Sequence, residues 1–185
     1  MKPKIGFALV LAYHWVLMIF LGAITFETLI LYPNIFRDAP ASLAAAVAFM
    51  KVGPADFFPP VGMLMLATGI GALILSWRVK HVRRWLLISV LIIFFGEFLF
   101  SALFFWPRNT IMFIEGTAVH SAQTLRQTAQ EFEALHWVRL GLCLPASIFS
   151  FMGLLGSHRP SDPISRNRPS DPTSRNRSSQ APKAA

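Results

Sequence analysis

Before residue 156 the chain alternates four long apolar runs with short polar or proline-rich breaks. The runs are Ile5 to about Leu31, Phe57–Trp77, Trp85–Trp106 and roughly Trp137–Leu155. A helix rises ~1.5 Å per residue, so about 20 apolar residues cross a hydrocarbon core of roughly 30 Å, and all four runs reach that length. The third, WLLISVLIIFFGEFLFSALFFW, has 22 residues and a single charge, Glu97, near its middle. Trp77, Trp85, Trp106 and Trp137 fall at predicted ends, where an amphipathic indole prefers the headgroup level. Gly62, Gly69 and Gly71 on the second run allow close helix packing. Pro145 predicts a kink in the fourth by removing one backbone donor. The pattern predicts an all-α fold, a four-helix transmembrane bundle over residues 1–156.

The loops Tyr32–Asp56 and Pro107–His136 are not plain linkers. In the first, Ser42 is placed to cap a short helix, SLAAAVAFMKV, which Gly53-Pro54 would end; YPNIF and DFFPP flank it. In the second, Ala118, Ala122, Leu125, Ala129 and Phe132 recur at helical spacing, and Arg126, Gln127, Gln130 and Glu131 take another face. That predicts an amphipathic helix running directly into the fourth membrane helix. Together these short interfacial helices would lay an apolar lid over the bundle.

Composition agrees with a membrane setting. The 185 residues are 54% hydrophobic and only 14% charged, more apolar surface than a soluble domain of this size can hide. A net charge of +8 would suit nucleic acid, but the basic residues form no stripe. They punctuate the apolar runs, which argues for membrane lipids as the partner and against nucleic acid. The N-terminal Lys2 and Lys4, the turn Arg78–Arg84 and the tail after Ser157 hold 12 of the 17 Lys and Arg residues. Both termini are therefore expected to be cytoplasmic, in a plasma or inner membrane, with the two lid loops on the opposite face. The first run is longer than the ~7–15 residues of a signal-peptide core and lacks a following small-x-small site, so it reads as a retained helix. The single cysteine, Cys143, leaves no internal disulfide or Cys-based zinc cluster. In the tail, residues 157–185, RPSDPISRN is followed at once by RPSDPTSRN. Polar and rich in proline, it is expected to be disordered and to serve solubility, orientation and weak attraction to anionic lipid.

Glu97 is the first candidate for chemistry. A carboxylate at the bilayer centre costs about 2.5–3.5 kcal/mol on insertion scales, so it should face other helices or a wet cavity. Its own helix offers only Ser101 at i+4, and Arg108 is about 16 Å farther along the axis. Without a cation Glu97 is expected to be protonated, as a hydrogen-bonding helix contact or as the polar floor of a substrate cavity. Glu27, near the end of the first run, reads as interfacial or as a second group lining that cavity. His14, thirteen residues earlier and on the opposite helical side, reads as a packed or hydrogen-bonded histidine.

The fourth helix carries a polar stripe. His136, Arg139, Cys143 and Ser147 follow i+3, i+4, i+4 spacing, and Phe132, Ala129 and Leu125 continue the stripe backwards. His136 should then face the bundle, with Glu133 at i−3 to orient it. A histidine that titrates near neutral pH beside an arginine suits proton abstraction from a weak carbon acid and stabilisation of the anion. The alternative is that both residues anchor the helix at the headgroups. Metal ligation has little basis. His120 and His136 are sixteen residues apart, and Glu133-x-x-His136 has no second copy of the kind a di-iron bundle needs. The chain also lacks a Gly-rich phosphate loop, a nucleophile elbow and a CxxCH haem site.

Two segments resemble a known family. WPRNTIMF (Trp106–Phe113) is similar to the P-x-N motif after the third helix of small four-helix membrane proteins of the anthrone oxygenase-like family. FEALHWVRLG (Phe132–Gly141) is similar to that family's W-x-x-x-H-x-V-R entry into the last helix, with Phe132 where a Trp is usual. Pro107 and Asn109 fill the first motif, His136, Val138 and Arg139 the second, and Pro33 and Asn34 of YPNIF are compatible with a weaker third. Most members have no known activity; those characterised are similar to cofactor-free oxygenases that convert polyketide anthrones to anthraquinones. The resemblance implies catalytic His136, Arg139 and Asn109: His136 would deprotonate an activated CH₂, Arg139 or Asn109 would stabilise the enolate, and the carbanion would react with O₂ without flavin or metal. Glu97, Glu27, Asn34, Trp106 and Arg108 are the candidates to line the substrate site. The expected function is binding of a lipophilic aromatic small molecule, with such oxygenation as its chemical form. The competing expectation is a non-enzymatic protein: an accessory subunit, a small transporter component or a structural bundle. Neither the substrate nor the oligomeric state is expressed in the sequence.

Overall fold

A computed structural model describes residues 2–158; the repeat-bearing tail beyond them lies outside the described residues. Five helices make up the described chain: α1 (Lys4–Phe36), α2 (Ala41–Phe49), α3 (Pro54–Leu75), α4 (Lys80–Val119) and α5 (Ala122–Ser157). All but α2 are long and apolar enough to cross a bilayer, and the fold is that of an all-α, multi-pass membrane protein. The four long helices run alternately up and down. α1 packs against α3 and α5, while α4 packs closely on α5 and more lightly on α3, so the four enclose one interior. The chain start, the Arg78–Arg84 turn and Ser157 gather at one end. α2 and the ends of α1, α4 and α5 close the other.

The helices exceed the apolar runs at the α2 end. α4 does not stop at Trp106; it passes through Pro107 to Val119, and α5 begins at Ala122. The expected loop Pro107–His136 is therefore mostly an extension of two helices, and Ala118 belongs to α4. Ser121 caps α5 by accepting the Thr124 N–H at 3.2 Å. α1 and α4 contain π-helical stretches at Glu27–Leu31, Ile93–Leu99, Ser101–Phe105 and Thr110–Glu115. Pro33 and Pro107 each fall in the first turn of the α-helical piece that follows such a stretch, where a missing donor is tolerated. α5 likewise passes Pro145 without a break in its helix.

α2 forms where the short lid helix is expected, with different ends. Ser42 does not cap it: the hydroxyl donates to the Ile35 carbonyl and accepts the Asp38 N–H, tying α2 to the end of α1. Gly53-Pro54 opens α3 instead of ending α2, with the Asp56 carboxylate accepting the Gly53 N–H at 2.8 Å.

Two apolar cores divide the interior. Towards the termini lie Val10, Leu17, Ile24, Ala72, Leu86 and Ala146; beneath α2 lie Tyr32, Phe36, Leu43, Phe105, Leu125 and Phe132. Gly69 makes the first core possible. A Cβ there would stand 2.9 Å from the Tyr13 ring and 3.1 Å from Val90. Gly62, one of the glycines expected at a tight crossing, faces open space instead.

Candidate functional site

Between the two cores the bundle buries a layer of polar side chains: Glu27 and Thr28 of α1, Glu97 of α4, His136 and Arg139 of α5. α5 keeps the regular 3.6-residue repeat, so Phe132, His136, Arg139, Cys143 and Ser147 all point inward. α1 and α4 reach the same level through their π-helical stretches, which hold Glu27 and Glu97. A π turn joins residues five apart, and Tyr32 donates its hydroxyl to Glu27 Oε1 at 2.9 Å across that interval. An α-helical repeat would turn these two side chains apart.

Arg139 organises the layer. Its Nε donates to Glu97 Oε2 at 3.0 Å, and its guanidinium lies 4.8 Å from the Phe105 ring centre and 5.7 Å from that of Phe58. Sequence spacing finds no cation for Glu97 because it searches one helix; the cation comes from α5. The expectation of a Glu97 without a cation is corrected accordingly. Glu27 is turned into the bundle interior, 3% exposed.

His136 is 0% exposed and fully engaged. Thr28 spends its hydroxyl proton on the Ile24 carbonyl at 2.7 Å, so it accepts from His136 Nδ1–H, also at 2.7 Å. That leaves a lone pair on Nε2, which accepts an Arg139 N–H at 3.2 Å, with Glu27 Oε2 3.3 Å away. Thr28 and Arg139 thus orient His136, the part expected of Glu133. Two carboxylate oxygens, Glu97 Oε1 and Glu27 Oε2, are buried without a hydrogen-bond partner.

A cavity of about 390 Å³ opens beside this layer. Its walls are apolar and largely aromatic, including Phe20, Phe58, Met65, Phe98, Phe105 and Trp106, and all four long helices contribute. Its polar lining consists of Glu27, Glu97 and Arg139, with Tyr32, Ser101 and Asn109. Of its lining, Met63, Phe98 and Trp106 are exposed on the apolar flank of α3 and α4, and Ala55 and Pro59 are exposed near the start of α3. The volume and the few convergent polar groups suit a small-molecule site.

The structure brings together Glu27, Glu97, Trp106, Asn109 and Arg139 of the candidates, and leaves out three. His136 stands behind Glu27 and Arg139 and does not line the cavity. Asn34 is exposed, its side-chain amide donating to the Ile30 carbonyl. Arg108 lies over the Phe104 ring and pairs with Glu131 at 2.8 Å. Thr28, Tyr32, Phe58 and Gly62 have no signal in the sequence beyond proximity to Glu27 and Pro54. Among the described residues no cluster of three His, Cys, Asp or Glu side chains is arranged to hold a metal ion.

A second polar cluster lies closer to the termini. Tyr13 and Ser89 share a 2.7 Å hydrogen bond, Ser89 donates to the Ala146 carbonyl, and His14 Nδ1 meets Ser150 Oγ at 2.8 Å. Protein-family models, curated proteins and solved structures were compared with the chain, and none matches.

Proposed function

We propose that this multi-pass membrane protein binds a lipophilic aromatic small molecule in the cavity between α3, α4 and the buried polar layer. One observation carries the reading: an apolar, aromatic-walled cavity ends on two buried carboxylates and an arginine, with an unpartnered oxygen on each carboxylate. Helices held together by polar contacts alone need no such space. The lysine and arginine distribution supports cytoplasmic termini, with α2 towards the opposite face.

The likeness of WPRNTIMF and FEALHWVRLG to the anthrone oxygenase-like family gives this reading its chemical form. An activated CH₂ loses a proton to a carboxylate, the carbanion forms a C–O bond with O₂, and the resulting hydroperoxide loses water to leave a ketone. In this reading Glu97, whose Oε1 is free, takes the base role, and His136 is a positioning residue that holds Arg139. Arg139 and Asn109 would face the enolate oxygen.

Gly62 offers the test. Gly62 lines the cavity, and a Cβ there has no atom within 4 Å. Gly62→Leu is expected to fold normally in nanodiscs and to weaken anthrone binding at least tenfold, read as quenching of Trp106 fluorescence against a Trp106→Phe control. Aerobic anthraquinone formation should fall with it. Unchanged, saturable binding would refute the cavity as the site.

A further inference from the structure

With both of its carboxyl groups ionised, the buried polar layer would hold one more negative charge than it balances itself. Arg139 is its single cation, facing the carboxylates Glu27 and Glu97. His136 adds no charge, because Nδ1–H goes to Thr28 and the Nε2 lone pair takes an N–H of Arg139. Tyr32 from α1 contributes a hydroxyl and Cys143, one turn along α5, a thiol. α3 presents only apolar groups to the layer, such as Phe58 and Met65, and α4 adds Ile93 and Phe105 beside Glu97. In a low-dielectric interior an unbalanced unit charge is too costly to persist, so a proton or another cation must sit with the carboxylates. The vacant acceptors are Glu97 Oε1 and Glu27 Oε2. The rings beside them present faces that attract cations and repel anions.

We propose that the cavity selects aromatic ligands bearing one positive charge, arylalkyl ammonium ions whose N–H groups donate to the carboxylates of Glu97 and Glu27 that line it. The empty site holds one carboxyl proton, and that O–H bond breaks as the ammonium enters, releasing the proton. This rests on the cavity being a ligand site and not on its oxygenase form. A neutral carbon acid that surrenders its proton leaves an anion in place, so the charge deficit persists; an ammonium ion removes it.

Two probes of nearly equal shape test the charge: 1-naphthylmethylammonium and 1-naphthylmethanol. They are titrated against the full chain in nanodiscs of zwitterionic lipid, with affinities referred to probe concentration in the bilayer. The ammonium ion is expected to bind at least tenfold tighter than the alcohol, more tightly as pH rises from 6 to 8, and with release of one proton. Glu97→Gln and, separately, Glu27→Gln should each erase the preference and the pH dependence while the alcohol still binds. Equal binding of the two probes to the wild type overturns the charge selection and leaves the ligand site standing. If neither probe binds saturably, both readings fall.

Discussion

Towards the termini, Tyr13 gives its proton to Ser89, Ser89 gives its own to the Ala146 carbonyl, and each hydroxyl there has a partner. Two turns of α5 away, Glu27, Glu97, His136 and Arg139 share fewer partners than they have atoms, and two carboxylate oxygens go without. Both clusters are buried among the same four helices, and both tie α5 to a neighbour. The first abuts Gly69 and Val90 with no space between them; the second borders a cavity. A closed cluster holds helices in register, since nothing remains for a ligand to satisfy. An open one stores unmet hydrogen-bonding capacity beside a cavity.

The largest effect should come from breaking the open cluster at its centre. Arg139→Met leaves two carboxylates without their cation and is expected to cost about 3–5 kcal/mol in unfolding from micelles. Adding Glu97→Met should recover part of that loss; if the double variant is no more stable than the single one, Arg139 does not act by balancing charge. A smaller effect is expected from crowding the closed cluster. Gly69→Val drives a methyl into Tyr13 and Val90 and should cost about 1–3 kcal/mol, with ligand affinity in the cavity unchanged in the folded fraction. The smallest is Tyr13→Phe. Removing one donor from a fully paired network should cost about 0.6–1 kcal/mol by the same unfolding assay. A change in ligand affinity in Tyr13→Phe would mean that the two clusters are coupled and the contrast between them is false.

The sequence carries the helices and half of the site. Four apolar runs suffice to place four spans, because bilayer thickness sets a length that composition alone can meet. The inward stripe of α5 is legible because that helix keeps one period from Leu125 to Ser147. Glu27 and Asn109 are harder to place, since π-helical stretches in α1 and α4 change the repeat and turn side chains away from where an α-helical wheel puts them. The Glu97–Arg139 pair is invisible for another reason. Its partners are 42 residues apart on different helices, and no spacing rule within a helix can find them. Pro107 reads as a terminator in sequence and is none in the structure, because the preceding π turn had already changed the hydrogen-bond pattern.

On the proposed reading, entry past the exposed Met63, Phe98 and Trp106 on the apolar flank makes the bilayer a reservoir. A ligand entering there has left water before it meets the protein, and its concentration at the mouth is set by partitioning. Each added methylene favours the lipid by about 0.8 kcal/mol, or roughly fourfold, whether or not the protein touches it. Potency measured against aqueous concentration would therefore climb along an alkyl series with no gain in fit. Discrimination by the site itself lies in what remains after that enrichment is divided out, which is the share contributed by two carboxylates and an arginine.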